Sequence, residues 1–387
     1  MSDKFIPLSV PNLKGNELKY VTEAIKTEWV STAGPYVEEF EKKIAKYVRA
    51  KGAVSCQNGT SGLHISLILA GITREDAVFV PTLTFIAAVN PVKYIGAMPI
   101  FMDCDDSLCL DPVKLEKYCN EECVYVDGKL IDKETKRHIK AIVVVHVFGN
   151  MADMETIIKV AEKYNLKVVE DATEAIGTYY TSGSFNGRYA GTIGDIGVYS
   201  FNGNKIMTTG GGGMIVSNND EYIKKAKHLT TQAKCDEVNF FHNDIGYNYR
   251  MTNLQAAMGV AQLEQLDNFI ETKENNYLIY QSKFKDTNYQ LLNVRNDIKS
   301  NRWFYALMCD ETTVSRDDLI GYLTKNKVQT RPIWGLIHQQ EPYVGEKAYQ
   351  IEKALFYWKR IINIPCSTNL STEDVEKVAN LILQYKK

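Results

Sequence analysis

The sequence predicts an α/β protein built on a mainly parallel sheet, followed by a smaller α+β region. Three observations carry that prediction. Strand-length apolar runs alternate with helical spacings from about Gly15 to Val216. Several of those runs are apolar throughout, as in strands covered on both faces. Beyond the helical stretch that starts at Thr252, the order changes to one strand and two helices. The predicted boundary therefore separates residues 1–274, a large domain with an amino-terminal segment and a connecting helix, from residues 275–387, a small domain.

Taken in order, Phe40 to Val48, within Tyr36–Arg49, has apolar residues at helical spacing, and Gly62 to Leu69 reads as a helix after a glycine turn. Ala77–Val80 is a short strand stopped by Pro81, and Pro99–Met102 is another, ended by Asp103. Ala141–His146 and Leu166–Glu170 are continuous apolar strands; Gly197–Phe201 and Gly213–Ser217 complete the set. Val124–His138 reads as an inserted surface ribbon, because Asp127-Gly128 between two short β-prone runs is a tight-hairpin signal. Thr252 to Phe269 reads as one helix running on through Tyr280, with Leu254, Ala257, Met258, Ala261, Leu263 and Leu266 on its apolar stripe and Thr252 or Asn253 as cap. Trp303–Met308 then reads as a strand, and Arg316–Asn326 and Ser371–Tyr385 as helices.

Composition excludes several classes. A net charge of −2 among 45 basic and 47 acidic residues gives no bulk attraction to nucleic acid or anionic membrane. No apolar run is long enough to span a bilayer, and the start from Met1 to Pro7 lacks the basic and apolar regions of a secretory leader, which points to the cytoplasm. The eight cysteines are scattered, as expected of reduced thiols. Cys119 and Cys123 can share a helix face, but no second pair at zinc spacing follows, so no metal is expected.

The chemistry lies at the predicted strand ends, where open α/β sheets bind ligands. Asn58-Gly59-Thr60-Ser61-Gly62 precedes a helix and offers amides and hydroxyls to an anion, although a plain helix cap would need just one of them. Phe85, in Pro81-Thr82-Leu83-Thr84-Phe85, either lies against a flat ring or belongs to the core. Asp171, at the end of an apolar strand, either caps a helix or faces a cationic partner such as a protonated pyridine. Ser200 ends the next strand, and Lys205 follows in Tyr199-Ser200-Phe201-Asn202-Gly203-Asn204-Lys205, just before the glycines Gly210 to Gly213. An anion cup, a stacking aromatic, a strand-end acid, a hydroxyl and an amine, in that order, are what pyridoxal 5'-phosphate (PLP) requires.

In Asn58–His64, Pro81–Asn90, His146–Gly149, Glu170–Gly177, Gly194–Gly213 and Gly246–Thr252 the chain resembles the DegT/DnrJ/StrS group of PLP-dependent nucleotide-sugar aminotransferases. The likeness runs from about Ile6 to the carboxyl end and implies the type I, aspartate aminotransferase-like fold. It implies Lys205 as the Schiff-base lysine, Asp171 as the pyridine-nitrogen partner and Phe85 as the stacking ring. Thr60, Ser61 and Ser200 resemble the phosphate ligands, and Asn248 resembles an asparagine that reaches the phosphate from a neighbouring subunit, which implies a homodimer with shared sites. Glu174 stands where many relatives have glutamine, and Asn202 where many have histidine; both lie near the cofactor. The Ser-Phe-Asn-Gly-Asn-Lys form is most similar to the branch acting on 4-keto-6-deoxy N-acetylamino sugars, on the bacillosamine and legionaminic acid routes.

The expected reaction moves an amino group from L-glutamate to C-4 of a nucleotide-linked keto sugar, giving a 4-amino-4,6-dideoxy sugar for surface glycans. Arg331 is a candidate for a donor carboxylate or substrate phosphate, with a structural ion pair as its alternative; His338 is a weaker candidate, and Tyr247 of the partner chain is expected near the sugar. Amination at C-3 and a non-catalytic PLP-binding regulator remain open. A nicotinamide oxidoreductase is not supported, because Gly191, Gly194 and Gly197 have the wrong spacing for a dinucleotide turn, and no Lys-Ser or Lys-Thr follows Gly210–Gly213 to make a P-loop.

Overall fold

The computed structural model describes residues 4–385 except 237, 311 and 313. Met1 to Asp3, part of the leader reading, lie outside the described residues. In chain order, α1 (Glu17–Lys26) and α2 (Pro35–Val48) precede β1 (Gly52–Cys56) and α3 (Gly59–Leu69). Next come β2 (Asp76–Pro81), α4 (Asn90–Tyr94), β3 (Met98–Met102), α5 (Pro112–Glu121), β4 (Cys123–Val126), β5 (Lys129–Asp132) and β6 (His138–Val145). After α6 (Met154–Tyr164) come β7 (Lys167–Asp171), β8 (Tyr179–Tyr180), β9 (Ile196–Ser200), β10 (Gly213–Ser217) and α7 (Asp220–Thr230). Helices α8 (Asn253–Leu263) and α9 (Leu266–Phe284) lead to β11 (Tyr289–Leu291), β12 (Ile298–Lys299), β13 (Tyr305–Cys309), α10 (Arg316–Lys325), β14 (Arg331–Pro332), β15 (Ala348–Tyr349), α11 (Lys353–Arg360), β16 (Ile361–Ile364) and α12 (Thr372–Gln384).

The main sheet has the order β1-β10-β9-β7-β6-β2-β3-β15. Pairings from β9 across to β15 are parallel, whereas β10 is antiparallel to both β9 and β1. Hence β1, β2, β3, β6, β7 and β9 all point the same way, and the segments leaving β1, β2, β7 and β9 emerge on one edge. Val78–Val80, Ile142–Val144 and Val198 are fully buried, which explains why these strands read as unbroken apolar runs.

A second core gathers Tyr277, Tyr280, Leu307, Ile362 and Val378 around the four-stranded sheet β11-β13-β16-β14, and Ile6 packs into it. The later segment also returns to the main core: Ile333, Ile337, Tyr343 and Ala354 are buried there, and β15 pairs with β3.

Two expectations are corrected. The helix expected to run from Thr252 through Tyr280 is two helices, broken at Glu264-Gln265. Its first part is anchored to the large region, since the Gln262 side chain donates to Asn12 O at 2.8 Å and Glu17 Oε1 at 2.6 Å and accepts the Thr208 N–H at 3.1 Å. Its second part sends Tyr277, Tyr280 and Phe284 into the small core, so the axis has to turn between them. The 124–138 segment does form the expected hairpin, with Asp127 and Gly128 at φ 51° and 73°. It is more than a surface ribbon, because β5 joins the main sheet at β6, and Leu130 and Asp132 are fully buried.

Candidate active site

Four segments leaving the shared sheet edge converge on a cleft of about 330 Å³. Asn58, Gly59 and Thr60 follow β1, Thr84 and Phe85 follow β2, Asp171, Thr173 and Glu174 end or follow β7, and Ser200, Asn202 and Lys205 end or follow β9. Trp303 and Trp334 close it from the carboxyl-terminal third. Thus Thr60, Phe85, Asp171, Glu174, Ser200, Asn202 and Lys205, singled out in the sequence, share one cavity. Phe85 is 54% exposed, so it is not a core residue.

One wall is the amino end of α3. Asn58 caps it through the Ser61 N–H at 2.8 Å, and the first turn carries no acidic residue, leaving an electropositive end. A side chain at Gly59 would put Cβ 3.0 Å from both Ser200 Cβ and Thr173 Cγ2, so any larger residue would press on the segments that end β9 and follow β7.

The acids differ in environment. Asp171 and Glu174 are 4% and 3% exposed. Asp171 Oδ1 takes the Thr173 N–H at 3.0 Å, and burial raises its carboxyl above the usual range. Burial pushes Glu174 up to about 7, against the lowering effect of nearby Lys205. Lys205 Nζ lies 3.7 Å from Glu174 Oε1 and 4.1 Å from the centre of the Trp303 ring. Burial pulls the Lys205 ammonium below its ordinary value, while Glu174 and Asp171 work the other way.

Its loop is tied down. Lys205 N–H donates to Asn202 O at 3.0 Å, Thr208 Oγ1 and Thr209 N donate to Phe201 O, and Trp303 Nε1 donates to Asn204 O at 2.9 Å. Beneath the acids, Glu170 accepts from His146 Nε2 at 2.8 Å and from the N–H groups of Gly191, Ile193 and Gly194. His146 Nδ1 accepts the Ala152 N–H, so the proton sits on Nε2. Burial opposes the charge on Glu170, but these donors outweigh it and hold its carboxyl below the ordinary value.

The remaining candidates lie outside this cavity. Ser61 is buried beside it. Tyr247 stacks on Tyr249 at 5.1 Å and packs edge-on to His64, and Asn248 pairs with Thr231. Arg331 is exposed on β14, with no carboxylate partner within 4 Å among the described residues. His338 Nδ1 is 2.6 Å from Thr82 Oγ1, away from the cleft. Trp303 and Trp334 were not singled out in the sequence; they reach the site from far along the chain, and nothing local marks them. Among the described residues no set of three or more His, Cys, Asp or Glu is placed to hold a metal ion, all the cysteines are free, and no helix is long and apolar enough to cross a membrane.

A lysine facing two buried carboxylates at the carboxyl ends of parallel strands, in this topology, defines a PLP-dependent enzyme of fold type I. The chain belongs to the DegT/DnrJ/EryC1/StrS aminotransferase family, whose profile matches residues 11–383. It is 36% identical over 382 residues to the GDP-perosamine synthase of Escherichia coli O157:H7, with 99% of each chain covered. It is 29% identical over 384 residues to the UDP-4-amino-4,6-dideoxy-N-acetyl-beta-L-altrosamine transaminase of Campylobacter jejuni subsp. jejuni serotype O:23/36 (strain 81-176), covering 97% and 96% of the two chains. Among solved structures, a DegT DnrJ EryC1 StrS aminotransferase from Brucella abortus superposes with a TM-score of 0.86 at 26% identity, covering 95% of each chain. The protein is a sugar aminotransferase, and PLP is its cofactor. The residues present fit that group: an electropositive helix end with the Thr60 and Ser200 hydroxyls, the close approach at Gly59, a buried acid and a largely buried amine in one cleft.

Proposed function

We propose that the enzyme transfers the amino group of L-glutamate to C-4 of a nucleotide-linked 4-keto-6-deoxy sugar. The observation that carries this reading is the convergence of Lys205, Asp171 and Glu174 in one cleft at the strand ends. The names of the two relatives, a GDP-perosamine synthase and a 4-amino-4,6-dideoxy sugar transaminase, support the substrate class. The higher identity to the former puts a GDP-linked sugar first among the candidates.

The chemistry PLP supplies when bound is an electron sink for the carbanion at the donor's α-carbon. Lys205 is the residue that would hold its aldehyde carbon. The amino end of α3, with Thr60, Ser61 and Ser200, would hold its phosphate. The Asp171 carboxylate would keep the ring nitrogen protonated, with Phe85 against the ring and Glu174 and Asn202 at its edge. Lys205 Nζ, once free, would take the proton from the donor's α-carbon, hold it, and give it up to the carbon that receives the electron pair. In the second half the same amine works in reverse on the sugar ketone.

A second copy of the chain would complete the site with Asn248 and Tyr247. The loop before them exposes Val238, Phe240, Phe241 and Ile245 at 84, 69, 65 and 81%, an apolar surface suited to a partner. Arg331, which has no acidic partner among the described residues, would serve a donor carboxylate or a substrate phosphate.

The test is a two-half panel. Glutamate should convert the cofactor's absorbance to that of the amine form, and a GDP-, UDP- or dTDP-linked 4-keto-6-deoxy sugar should restore it. Lys205→Ala should lose multiple turnover. Mixing Lys205→Ala with Asn248→Ala should recover about one quarter of wild-type activity through hybrid dimers. Normal multiple-turnover transamination by Lys205→Ala would overturn the reading.

A further inference from the structure

We propose that Glu174 is the proton-holding partner of Lys205: its Oε1 takes a proton from the Lys205 ammonium and later gives it back, so that the amine stands neutral and reactive in the cleft. The inference rests on the transaminase reading above.

The carboxylate is built into place. Glu174 Oε2 accepts the Phe148 N–H at 2.8 Å. Phe148 presents that N–H from a left-handed backbone conformation, φ 57°, which a phenylalanine adopts only when its surroundings hold it there. Those surroundings are the rings of Trp334 at 4.8 Å and Phe304 at 5.8 Å. The next residue, Gly149, has φ 82° and would overlap Asn301 Oδ1 if it carried a side chain. Asn301 Nδ2 in turn donates to the Glu174 carbonyl at 2.9 Å. With Oε2 and the backbone engaged, Oε1 is the oxygen left toward Lys205 Nζ at 3.7 Å.

Among the described residues no other neighbour can do this work. The Trp303 ring, 4.1 Å from Nζ, attracts a cation but has no site for its proton. The other titratable groups facing the pair are Asp171 and, behind it, His146 and Glu170. Asp171 is reserved for the cofactor's ring nitrogen. The Glu170 oxygens are filled by His146 and three N–H donors, and the free His146 nitrogen accepts from Ala152. Burial raises Glu174 and lowers Lys205, so the two bind a proton with more similar affinity than in water. The transfer breaks one N–H bond and makes one O–H bond, turning a buried ion pair into a neutral pair that carries no charge-burial cost.

Glu174→Gln is the discriminating variant, because the amide oxygen can still accept the Phe148 N–H but cannot take up a proton. In cofactor-free protein, lysines tagged by reductive 13C-methylation are titrated by NMR, with Lys205 assigned by its loss in Lys205→Ala. The Lys205 signal should titrate at lower pH in Glu174→Gln, since the opposing charge is gone. In loaded enzyme, kcat should fall roughly 10- to 100-fold, KM for the amino donor should hold, and the ionisation near pH 7 should vanish from the pH profile. Glu174→Asp, which keeps a carboxylate, should retain that ionisation with a weaker effect. An unchanged Lys205 titration in Glu174→Gln, or an unchanged pH profile, would overturn the proposal. The cofactor-free titration needs no substrate, so a wrong transaminase reading would appear separately, as a wild-type protein that shows the shift but turns nothing over.

Discussion

Lys205 and Lys273 are both largely withdrawn from solvent and both touch Trp303, yet they are opposites chemically. Lys273, on α9, is 2% exposed and donates to the carbonyls of Trp303 and Cys366. Lys205 keeps 13% side-chain exposure at the cleft, lies over the Trp303 ring and faces the Glu174 carboxylate from beyond hydrogen-bond distance. Burial lowers both ammonium groups from their ordinary value, so desolvation alone does not separate them. What separates them is the use of their donors: Lys273 has its protons engaged by backbone oxygens and ties two segments together, while Lys205 is held loosely and opens onto a cavity. The neighbouring acids Glu170 and Asp171 repeat the lesson. One is filled with donors and lowered, the other is sparsely bonded and raised.

Paired methionine substitutions break the comparison most sharply. Lys205→Met should lower turnover by on the order of 10⁴-fold while changing the urea-unfolding free energy of cofactor-free protein below pH 7 by less than about 1 kcal/mol, since the Glu174 carboxyl, already raised to about 7, keeps its proton and leaves no unpaired buried charge. Lys273→Met should do the reverse. It strands two buried carbonyls, which costs about 2–4 kcal/mol, and should reduce turnover less than tenfold. A larger stability loss from Lys205→Met than from Lys273→Met would invert the assignment of structural and reactive roles.

The acids give a pH-resolved version. Glu174 rises from an ordinary 4.5 to about 7 in the folded protein, so the native state binds the extra proton, and stability declines as pH rises between those values. Glu170 is lowered from the same ordinary value, so its contribution is present above pH 4.5 and is lost as pH falls through its folded value. In thermal or urea unfolding of cofactor-free protein, Glu174→Gln should therefore gain on wild type from pH 4.5 to 7, by up to about 3 kcal/mol. Glu170→Gln should be less stable than wild type above pH 4.5 and converge with it in acid. Parallel pH profiles for the two variants would show that the two sites are alike after all.

Much of this was legible in the sequence because it is local. Ile142–Val144 are apolar without alternation because both faces of β6 are covered, and Asp171, Ser200 and Lys205 follow such strands within a few residues. The Asp127-Gly128 turn demands positive φ at both positions and advertises itself. What stayed hidden depends on distant partners. The break at Glu264-Gln265 is imposed by two cores lying in different directions, whereas the stripe Leu254 to Leu266 is continuous at helical spacing. The pairing of Ala348-Tyr349 with β3 rests on two residues and leaves no pattern. Trp303 looked like the start of a strand, and only folding shows its ring over Lys205 and its Nε1 on the lysine loop.

That hidden residue supplies the smallest of the expected effects. Trp303→Phe keeps an aromatic face toward Lys205 but removes the Nε1–H bond to Asn204 O. Asn204 is exposed, so water can replace the lost donor, and the stability change should stay within about 1 kcal/mol. The loop beyond it would then hold Lys205 less tightly against Glu174, and kcat should fall about three- to tenfold, because small displacements of a reacting group are costly. Trp303→Leu removes the ring face as well and should fall further, with the Lys205 titration moving to lower pH as the cation–π attraction is lost. If Trp303→Phe matches wild type in rate while Trp303→Leu does not, the face matters and the hydrogen bond does not. If both match it, Trp303 only shares the wall of the cleft, and the contrast between the two lysines rests on the carboxylates alone.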